Sequence, residues 1–429
     1  MSQQQLSRRD MLKTATAVAA TSSFAAIPAA AQNANPAGDG ALRRIDQILR
    51  QATESKASPG IVAVAATDRG VIYEGAAGGR DIEKGPPITP DTIFWIASMT
   101  KAVTGAACMQ LVEQGKLQLE QEMGKLLPEL ASPQVLEGFD ANGAPKLRPA
   151  KRPITLRHLL THTSGFVYSV WDPLMLEYEE RTNTPGIITC KTAALALPLV
   201  FDPGDRWQYG IGIDWAGRAV EAVSDQSLEI YFRENIFGPL GMTDTGFLIG
   251  SAQKARLATK YNRKADGSLE SSPFEMPQRP EFFMGGGALF STPRNYLAFL
   301  QMLLNGGTFS GARVLKPETV ALMGQNQIGD LKVVTLKTVQ PDVSYDADFF
   351  PGMVQKWGLT FDINTEPGPN GRSVGSLCWA GVFNTFFWID PKKKVTGTYL
   401  TQVLPFADPT SLKLYGEFER GVYDALKSA

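Results

Sequence analysis

A serine and a lysine three residues apart, in Trp95-Ile-Ala-Ser98-Met-Thr-Lys101, are the side chains of this sequence best placed to do chemistry. Residues i and i+3 of a helix share a face about one turn apart. That spacing sets an amine beside a hydroxyl, which an inert serine requires to become a nucleophile. An apolar run, Ile93 to Ala97, leads in, and Ala102 to Gln114 continues with helical character to Gly115, a suitable C-cap. Gly105, Ala106 and Ala107 permit close packing on several sides. The segment therefore reads as a central buried helix with Ser98 and Lys101 at its exposed N-terminal end. A second Ser-x-x-Lys, Ser251-Ala-Gln-Lys254, lacks the apolar lead-in and reads as a solvated surface segment.

A nucleophile also needs a proton acceptor and an oxyanion site. Phe201-Asp-Pro-Gly-Asp-Arg-Trp-Gln-Tyr209 places a tyrosine between a Pro-Gly turn and a glycine-rich start of a helix. A free phenol, with a pKa of about 10, is a poor base at neutral pH. Beside an ammonium such as that of Lys101 its anion is stabilised, so Tyr209 could take the serine proton and return it to the leaving group. The two would titrate as a coupled pair, with the location of the charge left open. Late in the chain, Cys378-Trp379-Ala380-Gly381-Val382 ends one strand ahead of another. There a glycine would admit substrate to the strand edge, whose N–H groups can serve an oxyanion.

The elements that must hold these residues follow from composition and periodicity. With 429 residues, 43% hydrophobic, 20% charged and a formal net charge of −1, the chain has ample core and no basic stripe, so nucleic-acid binding has no support. Its three cysteines are widely spaced and form no disulfide framework, and two histidines, His158 and His162, are too few for a histidine-rich metal site. No cofactor or metal is implied. Ser7-Arg-Arg-Asp-Met-Leu-Lys13, a weakly apolar stretch and Ala29-Ala-Ala31 read as a Tat-type signal, residues 1–31, too short to anchor in a bilayer. This predicts a bacterial periplasmic or secreted protein that engages the Tat machinery and has no stable membrane anchor. Residues 32–40 read as a linker.

Ala41 to Ala52 is predicted helical, and Ile61 to Ala66 with Val71 to Gly75 form a hairpin around Asp68-Arg-Gly70. From Leu117 to about Gly285 the pattern gives helices and long loops with few convincing strands. Strands return over Trp357 to Ile363, Val374 to Trp379, Phe383 to Ile389 and Val395 to Thr401, before a last helix from Ser411 to Leu426. The expected class is α+β: an antiparallel sheet built from residues 41–116 and about 286–429, flanked by helices, with a mostly helical insertion at about 117–285.

Ser-x-x-Lys, a mid-chain tyrosine and a late x-x-Gly, in that order, resemble the serine β-lactamase and penicillin-binding superfamily. The pattern is most similar to class C β-lactamase-like, or family VIII, carboxylesterases. Leu159-Leu-Thr-His-Thr-Ser-Gly165, Phe201-x-Pro-Gly, Ile236-Phe-Gly-Pro-Leu-Gly-Met242 and Gly285-Gly-Gly-Ala-Leu-Phe-Ser-Thr292 support it, and the likeness runs from about Ala41 to the C-terminus. It implies Ser98 as acylated nucleophile, Lys101 as activator and Tyr209 as general base. The backbone N–H groups of Ser98 and Val382 would form the oxyanion hole. In β-lactamases the tyrosine motif carries an asparagine where this chain has Ile211, and a late Lys-Thr-Gly stands where it has Trp379-Ala380-Gly381. Both changes exchange polar for apolar groups, and a buried substrate carboxylate would lack a partner. The implied substrate is a small uncharged ester, with Ile211, Trp379, Ala380 and Gly381 in the pocket. Hydrolysis of β-lactams, amides or D-amino-acid peptides, acyl transfer, and non-catalytic ligand binding are the alternatives on the same fold.

Overall fold

In the computed structural model the described residues are 36–427, so the predicted signal segment lies outside them. The first described helix, Pro36–Glu54, takes in Pro36 to Gly40, which the composition had assigned to the linker. Proline fits the first turn of a helix because its missing N–H would have no partner there.

Seven strands from both ends of the chain form one antiparallel sheet. Across it the order is Gln355–Trp357, Asp362–Asn364, Leu377–Gly381, Thr385–Asp390, Val395–Leu400, Gly60–Thr67, Gly70–Gly78. Val62 faces Leu400 across one junction and Trp379 faces Phe387 across another. Side chains alternate across a strand, and Thr385–Asp390 uses both faces. Phe386 and Trp388 pack on Tyr415 and Phe418 of the terminal helix Pro409–Lys427, at ring separations of 4.6 and 5.4 Å. Phe387 points the other way, to Tyr296 of helix Pro293–Leu304 at 5.6 Å. Both faces are covered, which is why this strand reads as a continuous apolar run.

The predicted single strand over Trp357 to Ile363 is two short strands folded back on each other. Thr360 has φ +78°, and the Gly358 N–H donates to the Phe361 carbonyl, closing a tight turn between them. Thr360 also meets the central helix, Thr100–Glu113, which is buried from Thr100 to Leu111. A Cβ on Gly105 would stand 2.6 Å from Thr360 Oγ1, so only glycine allows that approach. Between residues 117 and 285 no strand joins the main sheet, but two hairpins form that periodicity had not indicated, Gln134–Phe139 with Pro145–Pro149 and Lys260–Arg263 with Leu269–Ser272. Their strands are short and mostly half-buried, which leaves little apolar alternation to detect.

Gly381 has a role different from the one its place in the sequence suggested. A Cβ there would lie 2.4 Å from the Ile96 carbonyl oxygen and 2.3 Å from Thr385 Oγ1. The absent side chain lets the strand press against the backbone that leads into Ser98, and does not open the strand edge to substrate. Gly381→Ala should therefore lower unfolding free energy by about 2–3 kcal/mol through overpacking against backbone. Urea denaturation would measure it, and a loss below about 0.5 kcal/mol would refute this close-packing role.

Candidate active site

Ser98 sits in a short 3-10 turn, Ala97–Met99, that runs directly into the central helix. Ala97 before it has φ +46°, an uncommon conformation for a residue with a side chain. That kink ends the apolar lead-in and leaves Ser98 half-buried at the wall of a cavity of about 210 Å³. Val382 lines the same cavity, placed beside Ser98 by the contact of Gly381 with Ile96. The cavity wall is otherwise largely apolar, with Trp95, Trp171 and Phe383 among its larger surfaces.

Lys101 is fully buried one turn further on. Its Nζ lies 3.1 Å from Ser98 Oγ, 3.0 Å from Tyr168 Oη and 2.6 Å from the Gly286 carbonyl oxygen. The carbonyl can only accept, so one N–H is committed to it. The two hydroxyls can each donate or accept. A neutral amine can thus give one N–H to Gly286 and another to Tyr168, and take the Ser98 hydroxyl proton on its lone pair. Burial favours that neutral form by pushing the ammonium well below the usual lysine range.

The carboxyl that opposes this shift is Asp214, also fully buried. It stands in the first turn of helix Gly212–Ser224, where a negative charge suits the helix dipole. Burial raises its pKa and Lys101 lowers it, while Asp214 in turn raises that of Lys101. Asp214 Oδ1 accepts the Gly286 N–H at 2.8 Å, and Oδ2 has no hydrogen-bond partner. One residue, Gly286, therefore links the two groups: its N–H faces the carboxylate and its carbonyl faces the amine. A Cβ on Gly286 would collide with Asp214 Oδ2 at 2.5 Å. The neighbouring carbonyls are fixed as well, Gly285 by Thr104 Oγ1 and Gly287 by Trp95 Nε1, each at 2.6 Å. The glycine run of Gly285-Gly-Gly287 thereby becomes a positioning element for Lys101.

Tyr209 is brought to the same cavity and its hydroxyl meets that of Ser98, as expected, but its oxygen does not meet Lys101. Lys101 Nζ lies 4.6 Å from the centre of its ring face rather than against its oxygen. The hydrogen-bond partners of Tyr209 Oη are the Ser98 hydroxyl and the neutral Trp379 indole N–H, the latter at 3.1 Å. Burial pushes this phenol up, so at neutral pH it holds its proton. Tyr168, which sequence reasoning missed, has the contact with the amine.

The expected pocket wall needs correction too. Ile211, Trp379, Ala380 and Gly381 do not line the cavity. Ile211 is 1% exposed, and Trp379 is packed beneath Tyr209 and against Trp357, at ring separations of 4.9 and 4.6 Å. Trp379 supports Tyr209 from below. His162 supports it as well, with its ring 4.6 Å from that of Tyr209 and its Nδ1 accepting the Gly210 N–H at 3.3 Å. The second Ser-x-x-Lys lies elsewhere on the surface, with Lys254 paired to Glu275 at 2.7 Å.

Asp214 had left a signal, a lone acid inside the apolar run Ile211 to Ala216, because a charge is rarely buried without a partner. Tyr168 gave none, since a tyrosine after a Ser-Gly turn is usually a packing residue.

The fold together with a buried lysine on a half-buried serine defines a serine enzyme of the β-lactamase fold. The chain belongs to the Beta-lactamase family, whose profile matches residues 45–418. Among its relatives is the ML-236A carboxylate methylbutanoyltransferase of Penicillium citrinum, 33% identical over 94% of this chain and 98% of that protein. The lovastatin esterase of Penicillium rubens is 31% identical over 88% of this chain and 98% of its own. The LovD6 mutant of simvastatin synthase from Aspergillus terreus superimposes with a TM-score of 0.80, at 34% identity, over 91% of this chain and 98% of that one.

The Lys101–Asp214 pair has a kinetic consequence. If Ser98 reacts only while Lys101 is neutral, its labelling by a fluorophosphonate rises with pH through the pKa of the amine. Removing the negative charge removes the influence that raises that pKa. Asp214→Asn should therefore move the acidic limb of the labelling profile down by about one pH unit. An unmoved limb would rule out the electrostatic coupling, whatever the variant does to the maximum rate.

Proposed function

We infer that this protein is an acyl-transferring serine enzyme. It takes an acyl group from a small ester onto Ser98 and passes it to an alcohol, with water as the slower acceptor. The observation that carries this is the Ser98–Lys101 contact at 3.1 Å opening onto a largely apolar cavity. Relatives named as a methylbutanoyltransferase and as an esterase support both fates of the acyl group.

In the first half-reaction Ser98 Oγ attacks the ester carbonyl while its proton passes to Lys101 Nζ. The new oxyanion is received by the N–H groups of Ser98 and Val382. As the C–O bond to the leaving alkoxide breaks, a proton returns to it from the Lys101 ammonium, with the Tyr168 and Tyr209 hydroxyls as the donors nearest that path. The second half-reaction runs in reverse with the acceptor alcohol. Lys101 takes its proton, the oxygen attacks the acyl carbonyl, and Ser98 leaves as the hydroxyl. This assigns the base to Lys101 and keeps Tyr209 as a protonated hydroxyl, in place of the anionic role that the resemblance implied.

The measurement is turnover of 4-nitrophenyl butanoate with and without a primary alcohol, beside a chromogenic cephalosporin. The expected result is butanoyl ester product that grows with alcohol concentration, little cephalosporin cleavage, and at least about a 10³-fold loss in Ser98→Ala. Hydrolysis unaffected by alcohol would favour a plain esterase, and efficient cephalosporin cleavage would overturn the substrate reading.

Twin-arginine export forms part of the proposal, resting on Arg8 and Arg9. A bacterial host with a working Tat pathway should release activity into its periplasm, and replacing both arginines by lysine should retain it in the cytoplasm. Unchanged export of that variant would count against the Tat route.

A further inference from the structure

Among the described residues the cavity at Ser98 has one charged lining side chain, Lys260. Lys260 lies at the start of the hairpin strand Lys260–Arg263, half-buried, on the cavity wall. Its Nζ sits 4.4 Å from the centre of the Phe274 ring and 5.4 Å from that of Phe383. Both rings pack on Trp95, at 5.1 and 4.7 Å, which ties the aromatic seat to the segment leading into Ser98. A lysine head carries three donors. Among the described residues no carboxylate or other acceptor meets those of Lys260, whereas the nearby Lys254 and Lys264 are both ion-paired.

Aromatic faces hold a cation in place without using up its N–H groups. They keep this amine beside the substrate while burial lowers its pKa, a cost that an arriving anion reverses. Such an arrangement suits a carboxylate better than a neutral polar group, because the charge-assisted hydrogen bond is about twice as strong. Apart from the hydroxyls of Ser98, Tyr168 and Tyr209 the rest of the wall is apolar, so a ligand that fills it is largely hydrocarbon away from the reacting group.

We propose that Lys260 is a carboxylate anchor, and that one of the two substrates exchanging the acyl group at Ser98 is an apolar molecule bearing a free carboxylate away from its reacting oxygen. This rests on the acyl-enzyme reading and changes it in one respect. The absence of a lysine at Trp379 suggested uncharged substrates; Lys260 supplies the cation from a different element, on the inserted segment.

The test separates binding from turnover. Octanoate and octanamide share shape and chain length and differ in charge, so their affinities for Ser98→Ala are compared by calorimetry. Octanoate should bind about tenfold more tightly, the ratio expected of one half-exposed charge-assisted contact. In Ser98→Ala carrying Lys260→Met or Lys260→Gln the ratio should fall to about one, and Lys260→Arg should preserve it. A circular-dichroism spectrum establishes that each variant is folded. No preference for octanoate in Ser98→Ala, or a preference that survives Lys260→Gln, overturns the anchor. Esterase activity undiminished in Ser98→Ala would instead overturn the acyl-enzyme reading, and the binding ratios would still decide the anchor independently.

Discussion

A fully buried lysine amine held against a serine hydroxyl is the contact around which this molecule is arranged. An ammonium taken out of water is costly unless something opposes it, and the usual outcome is that the group gives up its proton. Here the opposition comes from Asp214, the Gly286 carbonyl and two aromatic faces, those of Tyr168 and Tyr209, at 5.1 and 4.6 Å from Nζ. These groups hold the amine in position while leaving it able to exchange a proton. The glycines at 285–287, the small residues of the central helix and the bare Cα of Gly381 all serve that placement by letting backbone approach backbone.

Sequence reasoning recovered the parts of this arrangement that are local. Ser98 and Lys101 share one helix face, so spacing alone brings them together. Helices Pro293–Leu304 and Pro317–Met323 begin at prolines and end beside Asn305 and Gly324, boundary signals that lie within a few residues of each end. The sheet's assembly from both chain ends followed from where strand-like runs begin and stop.

What was not legible depends on relations between distant residues. Which tyrosine oxygen meets Lys101 is settled by how the segment after Gly165 packs, and neither Tyr168 nor Tyr209 carries that information locally. Trp379 and Ile211 were assigned to the pocket wall because they replace residues that touch substrate in β-lactamases. Both are instead buried away from the cavity, Trp379 beneath Tyr209, since large apolar groups fill the space that polar ones had occupied and are then covered. Thr360 was hidden inside an apolar run because its reversal of direction rests on φ +78°, a conformation that threonine rarely adopts.

The pairing of Gly60–Thr67 with Val395–Leu400 joins residues separated by more than three hundred positions, with Ala66 opposite Thr396. Ser98 belongs to the first quarter of the chain, while Val382, whose N–H would receive its oxyanion, arrives only with the last quarter. Contacts of such long sequence separation form late, because closing the intervening loop is entropically costly before any contact offsets it. Spacing alone can bring the serine to its lysine, but the second oxyanion donor is in place only once the two ends of the chain have closed the sheet.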